Sequence, residues 1–165
     1  MLSLAPVLAL LKPAPGDLPE PVAFPHPWFR QVGGAAEYAQ IRPDALPLPA
    51  AWLVRAADSA EHAGQRAENM TIPFDVVIAI ENVRGAADGE TDETLLAYRR
   101  EVYRRLEGWF LEPDVRPVKF RGGTVLEYTE GDMYWRDRYE LMALWTNYLP
   151  DPPAYGGFQH TGDLL

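Results

Sequence analysis

The residues able to do chemistry are few and scattered. Two serines, Ser3 and Ser59, and three histidines, His26, His62 and His160, are spread along a chain of 165 residues that contains no cysteine. Ser59 and His62 stand close enough in sequence to be a nucleophile and its base, but the surrounding Ala-Asp-Ser-Ala-Glu lacks the G-x-S-x-G turn that exposes a serine oxygen. Each histidine is solitary, with no H-x-x-x-H or H-E-x-x-H spacing to hold a metal. The acidic run at residues 88–93 lacks the alternating Asp/Asn register and distant glutamate of a calcium loop, and helix-start electrostatics accounts for it. Gly33-Gly34, Gly122-Gly123 and Gly156-Gly157 fit neither phosphate-loop nor dinucleotide spacing and read as turn glycines. No cofactor or metal is expected, and a chain without thiols has no disulfide, zinc ribbon or iron–sulfur cluster.

Two charged features remain. Asp137 interrupts an apolar alternation of Met133, Trp135, Tyr139, Leu141, Ala143 and Trp145. A carboxylate in such a place pairs with an arginine, sits at a subunit contact or, as a third option, acts catalytically. Nine of the 15 Lys and Arg residues fall between positions 99 and 138, among them Arg99, Arg100, Arg104 and Arg105. They form either a solvated helix face laced by pairs such as Glu101 with Arg105, or a surface that meets an acidic partner or lines a ring threaded by nucleic acid. An enzyme reading would assemble a site from distant residues such as Asp137, Glu81 and His62. The net charge of −9 disfavours diffuse attraction to nucleic acid.

The elements that position these residues follow from hydrophobic period. Leu4, Val7, Leu8 and Leu11 are spaced for a short helix with Pro6 in its first turn. This apolar run is too short to span a membrane, and with no basic residue before it and no small-residue cleavage pattern after it, it is not a secretory signal; an intracellular origin is expected. Prolines at 13, 15, 19, 21, 25 and 27 make a connecting strap, followed by a short strand at 28–32, a Gly33-Gly34 turn and a helical turn at 35–40. Residues 50–56 form a strand, 58–70 a long exposed loop, and 71–82 a half-buried strand with Phe74, Val76, Ile78 and Ile80 on one face. A turn at 84–89 leads to an amphipathic helix carrying Leu95, Tyr98, Val102, Leu106 and Trp109 on one stripe, ended by Gly108. Then come a hairpin, 118–121 and 124–128 around Gly122-Gly123, and a long final strand.

The expected fold is α+β: a mainly antiparallel sheet of about four to five strands with helices packed on one face. One domain spans 1–149, including a proline-rich connecting region at 13–49, and an extended tail occupies 150–165.

The segments Leu48-Pro49-Ala50-Ala51-Trp52-Leu53-Val54, Phe74-Asp75-Val76-Val77-Ile78-Ala79-Ile80-Glu81-Asn82-Val83-Arg84, the helix from Thr94 to Trp109, and Leu126-Glu127-Tyr128 with Gly131-Asp132-Met133-Tyr134-Trp135-Arg136-Asp137-Arg138-Tyr139 together resemble phage tail terminator proteins, particularly the Mu-like group. The resemblance covers residues 48–145 and leaves out the proline strap and the tail. It implies a structural protein with no reaction to catalyse, found in the virion at the tail–neck junction after assembly in the host cytoplasm. Six copies would form a ring that caps the tail tube, stops its polymerisation and meets a head-completion or connector protein, with DNA passing through without specific binding and no membrane involved. On that reading Ser59, Glu61, His62, Gln65, Arg66 and Glu68 meet the tube, and Arg99, Arg100, Arg104, Arg105 and Asp137 lie at a subunit contact or the lumen. Other neck or tail-completion subunits and small adaptors are the nearest alternatives.

Overall fold

The computed structural model describes residues 2–39, 47–64, 66–82, 89–129 and 131–146. Gln65, most of the turn expected at 84–89, and the tail at 150–165 lie outside the described residues. In chain order the elements are α1 (Ala5–Leu11), β1 (Gln31–Gly33), α2 (Ala35–Ala39), β2 (Ala50–Arg55), β3 (Ser59–Gly64), β4 (Ala67–Glu81), α3 (Glu90–Leu106), β5 (Lys119–Tyr128) and β6 (Asp132–Thr146). They build an α+β molecule around one six-stranded sheet in the order β1-β2-β4-β6-β5, with β3 also on β4. Every pairing is antiparallel except β1 with β2.

β4 and β6 form the spine, paired from Ala67↔Thr146 to Glu81↔Asp132. The other side of β4 is shared: β2 takes Phe74 to Ala79 and β3 takes Ala67 to Thr71. Pro73 sits at the handover. Its carbonyl accepts from the Ala56 amide on that side, so its missing N–H also points there, into the gap between the two partners where no ladder bond is lost.

The alternation read in β4 holds, but the strand is not half-buried as expected: residues 74–80 are buried on both faces, because α2 and Trp52 cover the second one. Phe74, Val76, Ile78 and Ile80 are buried under α1 and α3 with Tyr139 and Leu141 of β6, while Val77 and Ala79 face the other way with Trp52 and Tyr134. The stripe on α3 enters the first of these clusters through Leu95, Tyr98, Val102 and Leu106. Each such fully buried side chain contributes about 1.5–3 kcal/mol. Acidic residues in the first turn of α3 and Arg104 and Arg105 in the last suit the helix dipole. Gly108, at φ 78, lets the chain turn back so that its amide meets the Val118 carbonyl at 2.9 Å.

The proline strap is pinned by aromatic packing. Phe24 and Phe29 each lie 5.1 Å from the ring of Tyr98 on α3, whose hydroxyl donates to the Pro27 carbonyl. Burial pushes that hydroxyl up to about 12, so it stays a donor.

Four further expectations need correction. Residues 58–70 are not a long loop: Ser59–Gly64 form β3 and β4 begins at Ala67. Both faces of β3 are solvated, so its side chains carry no burial period, yet its backbone pairs with β4 from Ser59 to Gly64, with a register shift at Ala63. Gly122-Gly123 is not a hairpin turn but lies inside β5, which bulges between Phe120 and Gly122 and again between Val125 and Glu127. The chain reverses between Tyr128 and Asp132, where the Thr129 hydroxyl accepts from the Asp132 amide at 2.9 Å. The sheet has six strands, one of them parallel, because β1 joins β2 beyond the strap. Finally, α1 and α3 share one face, but Tyr38 of α2 packs 5.6 Å from Trp52 on the opposite face.

Candidate functional site

Asp137 projects from the helix-covered face of β6 and is 1% exposed. Arg99 of α3 reaches down to it, with Nη2 2.8 Å from Oδ1 and Nε 2.9 Å from Oδ2, and Trp135 Nε1 donates to Oδ1 at 2.8 Å. The Arg99 guanidinium also lies 4.4 Å over the Trp135 ring. Asp137 is therefore held in an intramolecular ion pair, the first of the three roles its position suggested. Gly123 of β5 makes this arrangement fit: a Cβ there would stand 2.1 Å from Asp137 Oδ1 and 2.6 Å from Trp135 Nε1.

The other α3 arginines divide sharply. Glu101, 6% exposed, accepts from Arg104 at 2.7 Å and from Arg105 at 2.9 Å. Burial alone would raise its carboxyl, but the hydrogen bonds from the two arginines win and hold it below the usual carboxylate range. Arg105 then ties α3 to α1: its Nη1 donates to the carbonyls of Leu10 at 2.9 Å and Pro13 at 2.6 Å, and its guanidinium lies 4.3 Å over Trp28. Trp28 Nε1 donates to the Leu11 carbonyl at 2.8 Å, so two donors cap the C-terminal end of α1. Among the described residues Arg100 makes no ion pair; it lines a groove of about 330 Å³ between α3 and β5 with Leu96, Arg99, Tyr103, Phe120 and Asp137.

The opposite face of β6 carries Arg136 and Arg138. Arg138 forks onto Asp75 at 2.8 and 3.0 Å, and that hydrogen bonding raises its pKa. Arg121, on the first bulge of β5, donates to Glu140.

The sequence-predicted tube residues gather on the β3–β4 hairpin, apart from Gln65, which is not described. Ser59, Glu61, His62, Arg66 and Glu68 are there, and His62 Nδ1 lies 3.2 Å from Glu68 Oε1. His62 is thus oriented by Glu68 on the far side of the hairpin. The dispersed catalytic set does not converge. His62 pairs across to Glu68, Asp137 pairs across to Val76, and Glu81 ends β4, so thirteen residues of extended strand, about 43 Å, separate the first and last. Among the described residues no three His, Asp or Glu side chains are grouped to hold a metal, and no helix is long and apolar enough to cross a membrane.

Reading the sequence missed the exposed apolar side chains on β5. Val125, Leu126 and Tyr128 are 48, 41 and 61% exposed. The signal was present: adjacent apolar residues on a strand cannot both face inward, so the Val125-Leu126 pair requires exposure or a bulge.

A family model described as phage tail terminator protein matches residues 24–146. The chain belongs to the phage tail terminator family. No protein of curated function matches it. The match starts at Phe24, against Tyr98, and ends at the last residue of β6. It therefore takes in the second half of the proline strap, β1 and α2, which the resemblance read from residues 48–145 had left outside, while α1 lies beyond it. Membership in that family supports a structural role in tail completion.

Proposed function

We propose that copies of this chain, six by analogy with the family, close a ring on the end of the tail tube, halt its polymerisation and present the opposite surface to a head-completion or connector protein at the tail–neck junction. The observation that carries this reading is the family match, which spans the whole sheet from β1 to β6. The β3–β4 hairpin is the tube-facing feature: its six β3 residues are all exposed, and Glu61, His62 and Glu68 offer polar contacts without a covering layer. Ser59, Gln65 and Arg66 belong to the same feature by position. Of the α3 and β6 set, Arg100 and the half-exposed Arg104 face outward for a neighbour or the lumen; Arg99, Arg105 and Asp137 support them from inside the fold. DNA passes without specific binding, and no bond is made or broken.

The test is a charge-altered hairpin, Glu68→Lys with His62→Ala, supplied in trans to phage lacking the gene. Circular dichroism and the oligomer mass should match the unaltered chain, while tails become overlong and fail to join heads. Regular tail length with the double variant would refute the hairpin's role.

A further inference from the structure

The two sides of the sheet end in unlike edges. Among the described residues β5 pairs with β6 alone, so its outer backbone edge has no partner, and it carries the exposed Val125, Leu126 and Tyr128. On the far side β3 pairs with β4 alone and is exposed throughout, with small residues Ser59, Ala60, Ala63 and Gly64. A ten-residue edge with apolar side chains is a template for another strand. We propose that β5 of one copy pairs antiparallel with β3 of the next, making the subunit contact of the ring; the inference rests on the ring reading above.

Three observations choose this occupant. First, β5, β6, β4 and β3 are linked by antiparallel ladders throughout, so β3 runs opposite to β5 within one copy. A sheet continued from β5 into the neighbour's β3 therefore stays antiparallel, and because the joined edges differ and face away from one another the contact is head to tail, which closes rings rather than two-fold dimers.

Second, the edges are staggered. Gly123 of β5 is level, through Asp137, with Val76, whereas Glu61 of β3 is level with Asn69. Those seven residues are about 23 Å along the strands, against about 19 Å across four strands, so joining the edges in a flat ring tilts the strands by roughly 50°, close to the 35–45° at which sheets close on themselves.

Third, the charges agree. The half-exposed Lys119 and Arg121 open β5, and antiparallel pairing brings Glu61 of β3 toward them. The small β3 side chains leave room beside Val125, Leu126 and Tyr128, and the hairpin's tip stays available to the tube.

A chain without native cysteine allows a clean cross-linking test. Ala60→Cys or Ala63→Cys on β3 is combined with Thr124→Cys or Leu126→Cys on β5, and each single and double variant is mildly oxidised. Bridging needs Cβ atoms about 3.5–4.5 Å apart, so only pairs in register respond. At least one double variant should give a ladder of disulfide-linked multimers ending at the ring mass, at least ten-fold above either single variant. Dimers formed only by the β5 single variants, or a ring by mass that none of the four pairs cross-links, would overturn the β5–β3 contact and leave the ring reading standing. A chain that stays monomeric alone and on tail tubes would remove the ring reading, and this contact with it. Val125→Lys with Tyr128→Lys, at exposed positions, should keep the circular dichroism spectrum and lose the ring; a ring that survives it contradicts the assignment.

Discussion

Gly123 is the position where the absence of one methyl group lets an ion pair exist. An added Cβ would fall 2.1 Å from Asp137 Oδ1, 2.6 Å from Trp135 Nε1 and 3.0 Å from Arg99 Nη2, and those atoms belong to one buried network that cannot move singly. Gly123→Ala should therefore cost about 3 kcal/mol, the scale of breaking a buried ion pair. Gly16→Ala, where nothing lies within 4 Å, should stay within about 0.5 kcal/mol. Urea unfolding of both variants checks this, and equal losses would contradict it. Asp137 was legible in the sequence as a carboxylate in an apolar alternation, where pairing with an arginine was the first of three roles open to it. Its partner was not: period places Arg99 on a helix and Asp137 on a strand face, but says nothing about which helix residue lies over which strand residue. Gly123 was misread for a related reason, since a Gly-Gly pair between two apolar runs looks the same whether the glycines turn the chain or admit a side chain from below.

At the scale of elements, the joint between α1 and α3 hangs on Glu101. Its folded-state pKa is lowered, so the carboxylate contributes stability that is fully present above its ordinary value of about 4.3 and is lost as pH falls through the lower folded value. Acid unfolding should thus steepen below about pH 4.3. Glu101→Gln should flatten that limb and cost about 2–3 kcal/mol at neutral pH by leaving Arg105 buried without its counter-charge. Urea titrations from pH 3 to 7 measure both, and parallel pH profiles for the two proteins would contradict the assignment. β4, buried on both faces over residues 74–80, was readable from its apolar, β-branched run, whereas α3 and β6 each have one covered and one open face, which writes a period into the sequence. β3 has no covered face and wrote none. α2 is five residues long, too short for a stripe, so the side of the sheet it occupies was decided by Tyr38 meeting Trp52.

At the scale of the whole molecule, the sheet explains why a chain with few chemically active side chains has a defined task. The α+β class and the antiparallel spine followed from patterning, but the unequal edges did not, because edge status depends on strand order and that depends on pairings far apart in sequence. Light scattering should find the assembled species at a six-fold multiple of the 18.5 kDa chain. Tail length in the presence and absence of the gene, scored in negative-stain micrographs of lysates, tests the central claim most directly. The account predicts overlong tubes without heads when the gene is absent and regular joined tails when it is restored; regular tails joined to heads without the gene would contradict it.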